Sequence, residues 1–261
     1  MVTDRTALRE HFRTGLLGSL LIATACLAGG CDHSKVGFEG TDFYATEEPA
    51  ATSAGTTPAT SAEVAAVLGQ PEAAAAVAHW ATDLRTHGLD GMADRCWTMA
   101  PRNVQTMYAD PGPILDALSR AGTADGSTAT WQNDEVTVVA EDSDIASGYA
   151  CPRVFPSGTE PAFDDADARH TVRRFLSRLA GKPLDPADVE SRYPLLCDSS
   201  AQDRYPAAIA AFEDQAIKSD WQRGDSITVS VPVTSTTGIQ KKQTYTLKSG
   251  AEGYCIGDVS G

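Results

Sequence analysis

The chain has 261 residues, 35 of them acidic and 21 basic, for a net charge of −14 at neutral pH. Such a surface repels nucleic acid and anionic headgroups, which excludes a DNA-binding role and a polybasic clamp on a membrane. At the N-terminus Arg5, Arg9 and Arg13 precede an apolar run from Leu16 to Ala28, and small residues then lead into Cys31. A basic start, a short apolar middle and a small-residue exit predict a secretory signal over residues 1–30. The run is broken by Gly18, Ser19 and Thr24 and falls well short of the roughly 20 residues a membrane-spanning helix needs.

The stretch Leu27-Ala28-Gly29-Gly30-Cys31 resembles the lipobox of bacterial lipoproteins. Ala28 stands where the family usually has a larger aliphatic residue, with Leu27 one place further out. The resemblance implies that the Cys31 thiol receives a diacylglyceryl group and becomes the new N-terminus. It also implies a lipid-anchored protein on the outer face of the cytoplasmic membrane. Cys26, after Ala23-Thr24-Ala25, is the other acceptor in reach, but Cys31 lies nearer the polar boundary. Loss of the signal leaves 18 basic and 33 acidic residues, a net −15, and over the whole chain the abundance of Ala with 15 Arg against 6 Lys resembles the bias of high-GC actinobacteria.

Residues 31–65 follow as an acylated cysteine and a tether rich in Thr, Ala, Ser, Gly, Pro and Glu. No period of 2 or 3.6 gives this stretch a face to bury, so it reads as disordered, with an end-to-end distance of roughly 30 Å. A helix comes next, with Pro71 suited to its first turn and Gly88 to the position past its end. Val77, Trp80, Ala81 and Leu84 fall at i, i+3, i+4 and i+7, one apolar stripe. The pattern returns in Val172, Phe175, Leu176 and Leu179, with Asp164, Asp165 and Asp167 as N-terminal caps. Leu89-Asp90 recurs as Leu184-Asp185, and each copy runs on to a cysteine, a second helical stretch and a closing Tyr and Cys. The order predicts two divergent modules, 66–160 and 161–261. Four cysteines remain after Cys31, none in a CxxC and none at ligand spacing from a histidine, so they predict disulfides and no metal. Three connectivities are open to them, and the repeat selects Cys96–Cys151 and Cys197–Cys255.

In the first module residues 101–119 read as helix broken by Pro111-Gly112-Pro113, and residues 131–139 and 145–154 as strands joined by a turn at 141–144. Val136 and Val138 are expected inward, and residues 156–161 form the linker between modules. In the second module Pro206 opens a helix with Tyr205, Ile209, Phe212 and Ala216 on one stripe. Residues 225–233 alternate strictly, with Pro232 demoting that end to an edge or a bulge. Ser235-Thr236-Thr237-Gly238 turns into a strand over 239–247, with Tyr245 and Leu247 inward, and residues 254–259 close the meander. Helices ahead of antiparallel strands give an α+β fold: two small tandem helix-plus-antiparallel-sheet modules behind the signal and tether. The bridge from Cys197 to Cys255, in the last strand, is expected to pin the sheet to the helical layer.

The second module resembles the nuclear-transport-factor-two-like, or cystatin-like cone, family. The carrying residues are the helix Val172–Leu179, the segment Tyr193-Pro194-Leu195-Leu196-Cys197-Asp198 and the ending Gly253-Tyr254-Cys255-Ile256-Gly257. That family usually has a hairpin between its second and third helices, and the stretch from Cys197 to Tyr205 is too short for one. Chemistry is sparse. His33 lies in the tether, His79 and His87 are eight apart on one helix, and His170 follows Arg169 in a first turn, so all four are expected at the surface. No serine sits in a nucleophile elbow and no glycine pattern forms a phosphate loop. Trp80, Trp97, Trp131 and Trp221 are expected in cores, and Arg169, Arg173, Arg174 and Arg178 on a solvated helix face opposite the apolar stripe. These residues predict no cofactor and no catalytic residue. The expected function is non-catalytic: a binding or scaffolding lipoprotein facing a cell-envelope protein partner. A carrier is the alternative, holding a small apolar ligand among Phe175, Ile209, Phe212 and Tyr245, and a hydrolase or isomerase on the same fold ranks last.

Overall fold

The computed structural model describes residues 62–198, 205, 208–222 and 226–261. The signal segment, Cys31 and most of the tether lie outside the described residues. The first half contains α1 (Pro71–His87), α2 (Met92–Arg95), α3 (Pro101–Met107) and α4 (Pro111–Leu118), then β1 (Thr123–Asp125), β2 (Thr128–Gln132), β3 (Val136–Glu141), α5 (Asp142–Ile145) and β4 (Arg153–Pro156). The second contains α6 (Asp165–Leu179), β5 (Ala211–Phe212), β6 (Lys218–Trp221), β7 (Ser226–Thr234), β8 (Gln240–Gly250) and β9 (Gly253–Ser260). The protein is α+β. Strands β1-β2-β3-β4 form one antiparallel meander, and β5-β7-β8-β9 a second antiparallel sheet in which β6 also pairs with β7.

The helix ends follow their local chemistry. Pro71 starts α1 and Gly88, at φ 60°, ends it by donating its N–H to Leu84 O. The expected stripe of Val77, Trp80, Ala81 and Leu84 is buried, and with Trp131, Val138 and Tyr108 it forms the core of the first half. Asp164 caps α6 by accepting from the Ala166 and Asp167 amides, while the Asp167 carboxylate reaches back to the Asp164 amide. Val172, Phe175 and Leu176 then pack on Ile227, Val229, Val231, Tyr245 and Leu247, a separate core.

Several expected elements differ, each for a visible reason. The strand read over 131–139 is two strands, because the Asn133 side chain accepts from the Glu135 and Val136 amides and folds the chain into a turn. The strand read over 145–154 shrinks to Arg153–Pro156. Its start belongs to α5, and Gly148, at φ 83°, turns the chain after that helix. Pro111 opens α4 rather than breaking a longer helix. Among the described residues of 208–217 there is no α-helix. Instead, Ala210 N–H donates to Thr234 O and Glu213 N–H to Pro232 O, so the segment completes the edge of β7. Open hydrogen-bonding groups on a sheet edge outweigh a four-residue apolar stripe. Strand β7 is therefore central. Pro232, which has no N–H to offer, sits at the gap where pairing passes from β5 to β6. Both disulfides join the expected partners, Cys96–Cys151 and Cys197–Cys255. The second bridge ties β9 to Leu195–Cys197, a strand-like segment along its edge (Cys197 N–H to Ile256 O, 3.0 Å), and not to a helix.

Candidate functional site

The site begins with α6, which buries two faces. Its apolar stripe covers the second sheet, and on its polar stripe Asp167, His170 and Arg174 meet Arg153, Trp97 and Thr98 of the first half, while Arg178 meets the segment 188–193. The expected solvated arginine face is thus corrected for Arg174 and Arg178. Arg174 is 7% exposed and binds Asp188, itself 2% exposed, at 2.7 Å. Arg178 donates to the same Asp188 carboxylate, to Glu190 at 2.7 Å and to Tyr193 O at 2.7 Å. The other oxygen of Glu190 accepts from the Leu195 and Leu196 amides. Each guanidinium is a rigid planar fork matched to a carboxylate, so together they fix the backbone of 188–196. Arg169 and Arg173 stay nearer the surface, paired with Asp165 and Asp214.

That fixed segment carries Tyr193 to the first half. Its hydroxyl donates to Ser143 O, and its ring meets Trp97 edge-on at 4.8 Å between centroids. The Arg174 guanidinium lies 5.0 Å from the Trp97 ring centre. His170 is buried, against the surface position expected, and its Nε2–H donates to Trp97 O at 2.8 Å. Burial lowers its pKa to about 4, which keeps the ring neutral.

Between the two sheets these residues enclose a cleft of about 280 Å³. Glu141, Asp144 and Arg153 line it from the first half, and Asp167, Tyr193 and Tyr254 from the second. Burial pushes the Glu141 carboxyl up to about 7, and the negative charges of Asp144 and Glu252 add to the shift. Burial likewise raises Asp144 to about 6, against the lowering influence of Arg174 and of the hydrogen bond from Thr98. Glu141 has no hydrogen-bond or ion-pair partner among the described residues. Arg153 is engaged by Asp167 at 3.2 Å and lies 4.4 Å from the centre of the Phe163 ring. On the far side of Tyr193 a second hollow of about 670 Å³ shares Asp144 and is lined also by Asp83, Asp94 and Asp185. Among the described residues no three His, Cys, Asp or Glu side chains stand close enough to hold a metal ion.

The other residues singled out in the sequence fall elsewhere. Phe175, Ile209 and Tyr245 are buried in the second core with Phe212 packed against it, and none of the four lines the cleft. His79 Nδ1 lies 2.8 Å from Gly148 O, and His87 lies 3.8 Å from Asp83. Trp80 and Trp131 are fully buried and Trp97 partly so, whereas Trp221 is 55% exposed on the edge strand β6. Sequence reasoning missed Glu141, Asp144, Asp188 and Tyr193. The one available signal was the excess of Asp and Glu at 185–190 opposite the i, i+4 pair Arg174 and Arg178.

Two disulfides fit an oxidising compartment, and no helix among the described residues is long and apolar enough to cross a membrane. No family model, curated protein or solved structure matches the chain.

Proposed function

We propose that this chain is an exported lipoprotein, anchored through Cys31 to the outer face of the cytoplasmic membrane, that binds a ligand without catalysis. Its binding site is the cleft between the two sheets. One observation carries the reading: the Glu141 carboxyl faces that cleft with no partner among the described residues. A desolvated carboxyl without a hydrogen bond costs folding free energy, and such costs concentrate at sites that meet a ligand. The bridges Cys96–Cys151 and Cys197–Cys255 support the extracytoplasmic half of the reading. Phe175, Ile209, Phe212 and Tyr245 pack against one another, which favours the polar cleft over an apolar pocket among them. The hydrolase or isomerase reading draws on the same Glu141, since a carboxyl near 7 suits general acid–base work. A neutral His170 already committed to Trp97 O leaves it no histidine partner, so binding is preferred.

Native mass spectrometry of the full-length protein, expressed with its own leader and extracted from bacterial membranes, tests this. The expected species begins at an acylated Cys31, carries two disulfides and retains or captures a small molecule from an envelope extract. An intact leader or four free thiols overturns the export reading. A mass unmoved by any envelope fraction overturns the binding reading.

A further inference from the structure

We propose that the cleft selects an organic cation, a small compound carrying a protonated amine, with Glu141 and Asp144 as its counter-charges. The inference rests on the binding reading above and names the ligand class. Carboxyl groups reach the cleft from separate elements: Glu141 at the end of β3, Asp144 in α5 and Glu252 in the β8–β9 turn. Of the cations that line the cleft, Arg192 lies 5.6 Å from the centre of the Tyr193 ring, and the other two are held in ion pairs. Arg153 holds Asp167, and Arg174 shares Asp188 with Arg178. Asp144 accepts from Thr98 at 3.3 Å and also from the Tyr193 side chain and the Cys151 amide, and Glu252 accepts from Ser127 at 2.7 Å. Glu141 receives no hydrogen bond among the described residues. An ionised carboxylate only accepts hydrogen bonds, so these oxygens call for a ligand that donates them and brings positive charge. The carboxyls are not grouped as metal ligands. The hydrocarbon body of an amine has the Phe155, Tyr193 and Tyr254 rings to lie against.

The electrostatics give this ligand a signature. Glu141 is faced by Asp144 and Glu252, which raise its proton affinity, and by Arg153 and Arg174, which lower it. A bound ammonium adds a further positive charge and pulls the Glu141 proton affinity down. Binding at neutral pH therefore expels a proton from the cleft, and affinity weakens as pH falls from 8 to 5.5. An alkylamine probe keeps its own proton across that range, its pKa being about 10.

The test is calorimetric titration of the full-length membrane-extracted protein with 1,4-diaminobutane, n-butylamine and tetramethylammonium, with N-acetylglucosamine and acetate as neutral and anionic probes. We expect at least one amine to bind at pH 8, with weaker binding at pH 5.5. At pH 7 its heat should depend on the ionisation enthalpy of the buffer, a readout of proton release that needs no variant. Glu141→Gln should remove most of that buffer dependence and weaken binding by roughly tenfold to a hundredfold, the range of a charge-assisted hydrogen bond. Asp144→Asn should weaken it in the same direction. No amine binding to protein with both disulfides intact overturns the proposal, as does amine binding indifferent to pH, buffer and both substitutions. Binding of N-acetylglucosamine or acetate instead of the amines removes the cation and leaves the cleft as a binding site. A mass unmoved by envelope fractions together with silence toward every probe removes both readings.

Discussion

Asp188 has the most to lose by substitution, because one buried carboxylate serves two guanidinium groups. Asp188→Ala leaves Arg174 and Arg178 short of their shared anion in surroundings poor in water. Breaking such a buried pair costs about 3–5 kcal/mol, which chemical denaturation will measure as a lower midpoint at unchanged slope. Glu141 works the opposite way. Its raised pKa means that the folded chain holds the proton more tightly than the unfolded chain does. The resulting stability is complete below pH 4.5 and is lost as pH rises toward 7. Asp144 behaves alike, losing its contribution between 3.8 and about 6. His170 opposes both: its lowered pKa gives stability that is complete above 6.5 and lost as pH falls toward 4. From pH 8 down to 6.5 Glu141 takes up most of its proton and Asp144 a smaller share, so thermal stability is expected to be higher at pH 6.5 than at pH 8. Glu141→Gln should flatten that slope and stabilise the protein at pH 8 by on the order of 1 kcal/mol, read as a rise in Tm of roughly 2–4 °C. None of these residues carried a signal of its own in the sequence. A carboxylate at a strand end and an arginine on a helix look solvated until the surface that covers them is known.

Helix α6 shows how far local chemistry reaches and where it stops. Its N-terminus was legible, since Asp at N-cap and again at N3 makes a reciprocal capping pair. Asp164→Ala removes that cap together with the bonds from Arg102 and Asn103. A cost of about 1–2 kcal/mol is expected, measured as a fall in unfolding midpoint, with Asp164→Asn recovering most of it. Its apolar stripe was equally plain. The polar stripe was not, because an i, i+4 arginine pair has the same pattern whether it faces water or a second body. The alternation of strand β7 was legible, because strict alternation has one reading on a half-buried sheet, whereas its Pro232 end, expected at an edge or a bulge, lies within the central strand. The residues after Tyr205 were not. Their apolar spacing suits a helix, and the unpaired edge of β7 decided otherwise.

At the scale of the whole molecule the two halves have separate cores and separate disulfides, and charged groups meet between them. Each bridge spans a long loop, 55 residues for Cys96–Cys151 and 58 for Cys197–Cys255. Loop closure of that length is worth about 4 kcal/mol in the chain-entropy model. Reduction under native conditions, followed by urea unfolding, is expected to lower the midpoint sharply. Cys96→Ala/Cys151→Ala should loosen mainly the first core and Cys197→Ala/Cys255→Ala the second, a contrast that amide hydrogen exchange will resolve by region. What the sequence determined by itself was whatever depends on near neighbours: helix caps, apolar stripes and the alternation of β7. What only the tertiary structure decided was the cleft, with Glu141, Asp144 and a neutral His170 facing one another. Charge, burial and proton affinity there arise from residues far apart along the chain, and no local pattern records which of them will share one cleft.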